Sequence, residues 1–69
     1  MPYAIYRFNT DELLCGYDAN GKPTWIPATG DREDCIRFPD WSAAEKESDR
    51  LQDEFRYATI VVNLENKQF

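Results

Sequence analysis

Two cysteines are the residues of this chain best suited to covalent chemistry. Cys15 and Cys35 lie twenty residues apart, and the sequence contains no histidine. Without histidine, Ser-His-Asp and Cys-His catalysis are excluded, and two distant cysteines do not make a zinc site. Arg37, two positions after Cys35, would share a strand face with that thiol and could lower its pKa. We expect two buried free thiols in a reducing cytosol, with a disulfide left open if their strands lie side by side.

Carboxylates are the other groups that could carry chemistry. Residues 18–21 resemble the start of a calcium-binding loop but lack its later ligands. Asp31, Glu33 and Asp34 could gather a cation, although carboxylates this close in a loop are also ordinary surface. An acid–base pair would need a pocket, which so small a domain seldom holds. We therefore expect no metal, no cofactor and no catalytic residue, and hence a non-enzymatic protein.

Residues 40–55 form the one long helical pattern. Its core-facing stripe, at spacings of three and four, is Trp41, Ala44, Ser48, Leu51 and Phe55. Pro39 prevents an earlier start, because the residue before a proline avoids the α region. Either Asp40 or Ser42 can cap the helix, and Ser42 with Glu45 has the spacing of a capping box.

The outer face of this helix is acidic. This face carries two bases, Lys46 and Arg50, and five acids. The acids are Glu45, Glu47, Asp49, Asp53 and Glu54. Glu47 and Arg50 are opposite charges at i,i+3, which stabilises a helix by about 0.2–0.5 kcal/mol. Glu45 with Asp49, and Asp49 with Asp53, are like charges at i,i+4, and such pairs destabilise a helix. The face is either a solvated surface or an acidic recognition surface.

Strand patterns occupy most of the remaining chain. We predict strands at residues 2–8, 13–17, 24–28 and 57–64, and a short extended segment at 35–38. Gly16 indicates a bulge, and Asn20-Gly21 favours a type I′ hairpin turn. The first three strands then form an antiparallel meander. The order β-β-β-(β)-α-β predicts an α+β fold, in which one amphipathic helix packs on one face of a small antiparallel sheet.

Length and charge narrow the functional classes. At 69 residues we expect one domain, residues 1–69. The net charge of −5 argues against direct binding to nucleic acid or to an anionic membrane surface, and is compatible with a basic protein partner. The start of the chain lacks the pattern of a secretory leader, and no stretch approaches the roughly 20 apolar residues of a membrane span. We expect a cytoplasmic protein.

The chain also resembles a group of known proteins. PYAIYRF (2–8), TWIPA (24–28), DCIRF (34–38), SAAEKESDRL (42–51) and ATIVVNL (58–64), in that order, are similar to many short uncharacterised α+β proteins of phages and mobile elements. The resemblance implies a bacterial or phage origin and a role in binding. Some small acidic proteins of this kind, among them anti-CRISPR proteins, inhibit host defence complexes, in some cases by mimicking DNA. No functional residue of such a protein maps onto a position here.

Two functional hypotheses follow. In the first, the protein inhibits or modulates a larger host complex through an acidic surface formed by Asp31, Glu33, Asp34, Glu45, Glu47, Asp49, Asp53 and Glu54. Its partner would be a protein with a basic surface, such as a nucleic-acid groove. In the alternative, the protein is a structural module that forms a homodimer through a sheet edge, for which residues 58–64 are the natural strand.

Overall fold

The computed structural model describes residues 2–29 and 34–66. Within them, four strands and one helix make an α+β fold, as predicted. The elements are β1 (Tyr3–Arg7), β2 (Glu12–Tyr17), β3 (Pro23–Pro27), α1 (Trp41–Phe55) and β4 (Thr59–Asn63), followed by a 3-10 turn, Leu64–Asn66. Each bound of a strand or of α1 lies within two residues of the predicted one. The helix of the described part is too short and too polar to cross a membrane.

The strands form one antiparallel sheet in the order β3-β2-β1-β4. The predicted meander of the first three strands is confirmed. The fourth strand returns beside β1, with Tyr3 opposite Asn63 and Arg7 opposite Thr59. The predicted bulge at Gly16 is also confirmed, because the register between β2 and β3 shifts between Leu14 and Gly16. The two edges of the sheet are therefore β3 and β4.

The hairpin between β2 and β3 differs from the predicted type I′ turn. Only Gly21 of its residues has a positive φ, 81°, whereas a type I′ turn needs one at Asn20 as well. Lys22 C=O accepts from Asp18 N–H at 2.9 Å, which closes a three-residue loop. The Asp18 carboxylate also accepts from Asn20 N–H and Lys22 N–H, at 2.9 Å each. That carboxylate satisfies the turn amides, so a longer loop replaces the two-residue one.

The predicted extended segment at 35–38 fills a gap in the sheet. Beyond Leu13, β2 no longer pairs with β1. There Ile36 N–H donates to Leu14 C=O at 2.9 Å, and Phe38 N–H donates to Tyr3 C=O at 2.8 Å. The segment makes an isolated bridge, Tyr3 to Phe38, rather than a full strand. Two residues separate it from α1, which begins at Trp41.

Both faces of the sheet are covered. Ile5 and Leu14 pack with Leu51 of α1 on one face, beside partly buried aromatic residues. On the opposite face the core is Ala4, Leu13, Ala28, Cys35 and Val62. Because side chains alternate between the two faces along a strand, neighbouring residues of β1 pack into different cores. This explains why the sequence of β1 is apolar on both faces.

The helix is capped by Asp40, one of the two predicted residues. Asp40 has extended backbone angles, and its carboxylate accepts from Ala43 N–H at 2.8 Å. The alternative capping box is wrong: the Glu45 carboxylate accepts from Trp41 Nε1–H at 2.7 Å instead. At the other end, Arg56 takes a left-handed conformation with φ 63°, and its N–H donates to Gln52 C=O.

The buried stripe of α1 is shorter than predicted. Ala44, Ser48 and Leu51 are buried, but Trp41 is 49% exposed. The reason is directional, because Cα–Cβ bonds of a helix tilt toward its N-terminus. A side chain at the first helical residue therefore points past the end of the core. Trp41 instead lies edge-on against Tyr3, with ring centroids 6.3 Å apart.

Candidate functional site

Arg50 divides the acidic face of α1 into two parts. Its guanidinium donates to both carboxylate oxygens of Glu47, at 2.8 and 2.9 Å, and to Glu54 at 2.7 Å. These bonds, above all those to Glu47, raise the pKa of Arg50 and favour its charged form. The pairing of Glu47 with Arg50 is as predicted. Two of the five carboxylates are thus held by a cation within the helix itself.

Three carboxylates remain, and we call Glu45, Asp49 and Asp53 the acidic row. They follow one another at i,i+4, so they project from one side of the helix, about 6 Å apart along its axis. All three are exposed. Glu45 accepts the hydrogen bond from Trp41, and in the described part of the chain neither Asp49 nor Asp53 has an ion pair. The acidic row is the uncompensated charge of this face.

The acidic row runs beside strand β4. The Ser48 hydroxyl bonds to that of Thr59 at 2.7 Å, and Gln52 Nε2 donates to Thr59 C=O at 2.9 Å. Trp41, at the opposite end of α1, contacts Tyr3, which pairs with the last residue of β4. The helix therefore runs antiparallel to β4, and its Glu45 and Asp49 lie next to that strand.

A groove of about 240 Å³ separates α1 from the edge of the sheet. Its lining comprises Trp41, Glu45, Ser48, Asp49, Gln52, Thr59, Ile60 and Val61. The groove combines an exposed tryptophan with two carboxylates and the backbone of an edge strand. Tryptophan is enriched among residues that dominate binding energies at interfaces. We name this concavity the α1–β4 groove and take it as the candidate site.

Among the described residues, part of the β4 backbone is unpaired along the outer edge of the sheet, next to this groove. Phe8 N–H donates to Ala58 C=O, and Leu64 N–H donates to Pro2 C=O. These two bonds show which residues of β4 direct their N–H and C=O groups toward β1, and we call this alternation the phase of the β1–β4 ladder. In an antiparallel pair, alternate residues bond inward. Ile60 and Val62 therefore bond to β1, while the N–H and C=O groups of Val61 and Asn63 point away from the sheet. Gln52 already occupies the equivalent C=O of Thr59.

Within the part of the chain that the structure describes, the opposite edge of the sheet is protected and β4 is not. Strand β3 begins and ends with proline, at Pro23 and Pro27, and proline blocks pairing at an edge. Strand β4 has the sequence TIVVN, with neither proline nor charge. Its Ile60 is 45% exposed on the face opposite the helix. An unprotected, apolar edge is the usual place where a second chain adds a strand.

A second depression lies near the end of α1 and has a different chemistry. Its volume is about 380 Å³, and Phe8, Gln52, Arg56, Tyr57, Ala58 and Thr59 line it. No carboxylate or thiol is among these residues, so the depression does not join the acidic row to an acid–base pair. We therefore base the candidate site on the α1–β4 groove.

Of the three loop acids in the predicted surface, only Asp34 belongs to the described residues. Asp34 is exposed and does not line the groove. Asp31 and Glu33 lie outside the described residues. Within residues 2–29 and 34–66, no three acidic or cysteine side chains come together as metal ligands. The structure thus places only part of the predicted surface, namely the helix acids, on one element.

Both cysteines are free thiols, and Arg37 does not activate Cys35. Burial raises the pKa of the Cys35 thiol, and this outweighs the opposing effect of the Arg37 charge and hydrogen bond. The hypothesis of an activated Cys35 is therefore wrong. Desolvation disfavours a thiolate more than one neighbouring cation stabilises it here.

We expect the two thiols to differ in reactivity. Cys35 is 7% exposed and Cys15 is only half-buried. At pH 8, iodoacetamide should modify Cys15 at least about tenfold faster than Cys35, because a buried thiol with a raised pKa forms little thiolate. Mass spectrometry of Cys15→Ser and Cys35→Ser variants gives each rate separately. Equal rates in the folded protein, with both fast, would contradict the burial of Cys35; in urea the rates should converge.

Comparisons with known proteins give no further assignment. No protein-family model matches the chain, and no match is found among curated proteins or among solved structures.

Proposed function

We propose that this chain is a non-enzymatic binding protein whose acidic row docks on the basic surface of a partner protein. One observation carries the proposal: Arg50 neutralises Glu47 and Glu54, while among residues 2–29 and 34–66 no cation forms an ion pair with Glu45, Asp49 or Asp53. These uncompensated carboxylates belong to a chain of net charge −5, which attracts basic partners over a distance.

The partner that fits this charge is a nucleic-acid-handling complex. Such a complex has a groove lined with Lys and Arg, and a row of carboxylates at regular spacing can occupy it in place of phosphates. On this proposal the protein is of phage or mobile-element origin, acts in the cytoplasm, and inhibits or modulates a host assembly, for example a CRISPR complex. The resemblance stated above supports the same proposal.

The test compares two variants of equal net charge. Asp49→Asn with Asp53→Asn removes two charges from the acidic row and keeps the side-chain size. Ala19→Lys with Asn20→Lys changes the net charge by the same two units at the exposed hairpin tip. A tagged wild-type protein should retain one stoichiometric nucleic-acid-handling partner from lysate at low salt and lose it at high salt.

Only the first of these variants should fail to retain that partner. Equal retention by both variants would show that the acidic row does not bind it. Equal loss from both would attribute binding to net charge alone. Circular dichroism must first show that both variants are folded.

Self-association through β4 is the second candidate function, favoured by the unprotected edge. A two-fold axis perpendicular to the sheet would pair two β4 strands antiparallel and place both helices on one face. The Glu45 and Asp49 side chains of the two copies would then face each other across the junction, and like charges repel. Because salt screens repulsion, such a dimer should strengthen as salt rises, while binding to a basic partner should weaken. Sedimentation at low and high salt separates the two functions.

A further inference from the structure

We infer that the partner contributes an extended segment that adds to β4 as a fifth strand of the sheet, with basic side chains toward α1. The inference rests on the proposed function and specifies how the partner binds. Strand addition is one of the recurring modes of peptide recognition, in which main-chain hydrogen bonds give affinity and alternate side chains give specificity. Three features of the described residues carry the inference.

The first feature is the free backbone of β4. Val61 and Asn63 present N–H and C=O groups outward, as the phase of the β1–β4 ladder requires. The added strand would satisfy them. Thr59 marks where the free edge stops, because Gln52 Nε2 already occupies its C=O at 2.9 Å. The available edge thus runs from Val61 toward the end of the strand.

The second feature is the match of spacing between the added strand and the acidic row. Side chains on one face of a strand repeat every two residues, or about 6.6–6.8 Å. Carboxylates at i,i+4 on a helix repeat about every 6 Å along its axis. A segment with Lys or Arg at alternate positions can therefore place successive cations opposite Glu45 and Asp49 as it follows β4.

The third feature is the difference between the two faces at this edge. On the helix side an added side chain meets Trp41, Glu45 and Asp49, which line the groove. On the other side the added side chain meets Ile60, which is 45% exposed and lies opposite Tyr6 of β1. A segment that alternates basic with β-branched apolar residues satisfies both faces. A second copy of β4 does not, because it brings no cation to the groove.

The experiment uses the whole protein, labelled with nitrogen-15, and synthetic heptapeptides. The probe alternates four lysines with three valines. One control has the same composition with the four lysines placed together, and another replaces every lysine by glutamate. Binding is followed by amide chemical shifts and by hydrogen exchange. The alternating probe should shift the amides of Val61 and Asn63 and slow their exchange, and each control should bind at least about tenfold more weakly.

Backbone methylation of the probe tests the added strand without altering the protein. One peptide is N-methylated at its valines and another at its interior lysines. In a strand, alternate residues direct their N–H groups to opposite sides. Only one of the two methylated sets therefore faces β4. One peptide should lose binding by at least about tenfold, and the other should bind nearly as well as the probe.

The outcomes separate this inference from the proposed function. If both methylated peptides bind equally and only the Asp49→Asn and Asp53→Asn changes weaken the probe, the acidic row binds and strand addition is wrong. If the probe fails to bind while the purified partner still depends on the acidic row, strand addition is again wrong. If neither the probe nor any partner depends on that row, both proposals are wrong.

Discussion

Leu51→Ala should lower the free energy of unfolding by about 2–5 kcal/mol, the range for removing a fully buried leucine. Leu51 is fully buried and packs with Ile5 and Leu14, where it joins α1 to the sheet. A domain of 69 residues has a total stability of roughly 3–10 kcal/mol, so the loss is a large part of the whole. Urea denaturation followed by circular dichroism measures it.

Ile60→Ala is the matched control for this substitution. Leucine and isoleucine lose the same number of carbon atoms on truncation to alanine, but Ile60 is 45% exposed. We expect a cost of about 1 kcal/mol or less there, mostly from the lower β-propensity of alanine. Equal costs at the two positions would mean that Leu51 does not anchor the helix to the sheet.

Arg7→Ala should cost about 2 kcal/mol, an unusual effect for removing a charged residue. The Arg7 guanidinium lies 4.4 Å from the ring centroid of Tyr57 and 5.4 Å from that of Trp25. It also approaches the Glu12 carboxylate at 3.6 Å. Truncation removes these contacts together with the packing of the aliphatic stem, and it leaves Glu12 without its cation.

Two controls isolate the cause. Arg7→Lys keeps the charge but loses the planar stacking, so it should fall between the wild-type protein and Arg7→Ala. Lys46→Ala removes one positive charge from an exposed helix position and should change stability by no more than about 0.5 kcal/mol. Thermal or urea unfolding of the three variants measures the loss of stability caused by each substitution. If Arg7→Ala costs no more than Lys46→Ala, the stacking contributes nothing.

The polar atoms around Arg7 show that this cluster is packed rather than fully hydrogen-bonded. Arg7 Nε and Trp25 Nε1 are buried and have no hydrogen-bond partner among the described residues. Desolvated N–H groups without partners cost free energy. The stacked rings of Phe55 and Tyr57, with Trp25 edge-on to Tyr57, enclose the cation on the helix side of the sheet. We infer that cation–π contact and packing offset that cost.

The arrangement of charge on α1 changes how the acidic sequence is understood. By sequence, all five carboxylates on the outer face belong to one predicted acidic surface, and only Glu47 is paired there with Arg50. In the structure Arg50 bonds to Glu47 and Glu54 and also lies 5.6 Å from the ring centroid of Tyr17. Arg50 therefore belongs to the helix surface and is not available to neutralise Asp49 or Asp53. Glu47 and Glu54 are poor targets for charge reversal, because changing either one also releases Arg50.

The sequence by itself determined the elements of this protein. Short runs rich in β-branched and aromatic residues, bounded by turn residues, predicted four strands, and the three-and-four spacing predicted the helix within one residue of its observed bounds. Pro39 and Asp40 set the start of α1, and Gly16 indicated the bulge. These features depend on backbone sterics and on neighbours within a few residues, so a local pattern contains enough information to predict them.

The tertiary structure alone decided the candidate site. Which strand borders the sheet and how far Trp41 projects past the core depend on residues distant in the chain. The pairing of β4 with β1 leaves the outer backbone of Val61 and Asn63 without a partner among residues 2–29 and 34–66, and the direction of α1 brings Glu45 and Asp49 beside that strand. A periodic pattern specifies which face of an element is buried, but it contains no information about what lies beside that element. The α1–β4 groove exists only because packing places one face of the helix next to the last strand of the described sheet.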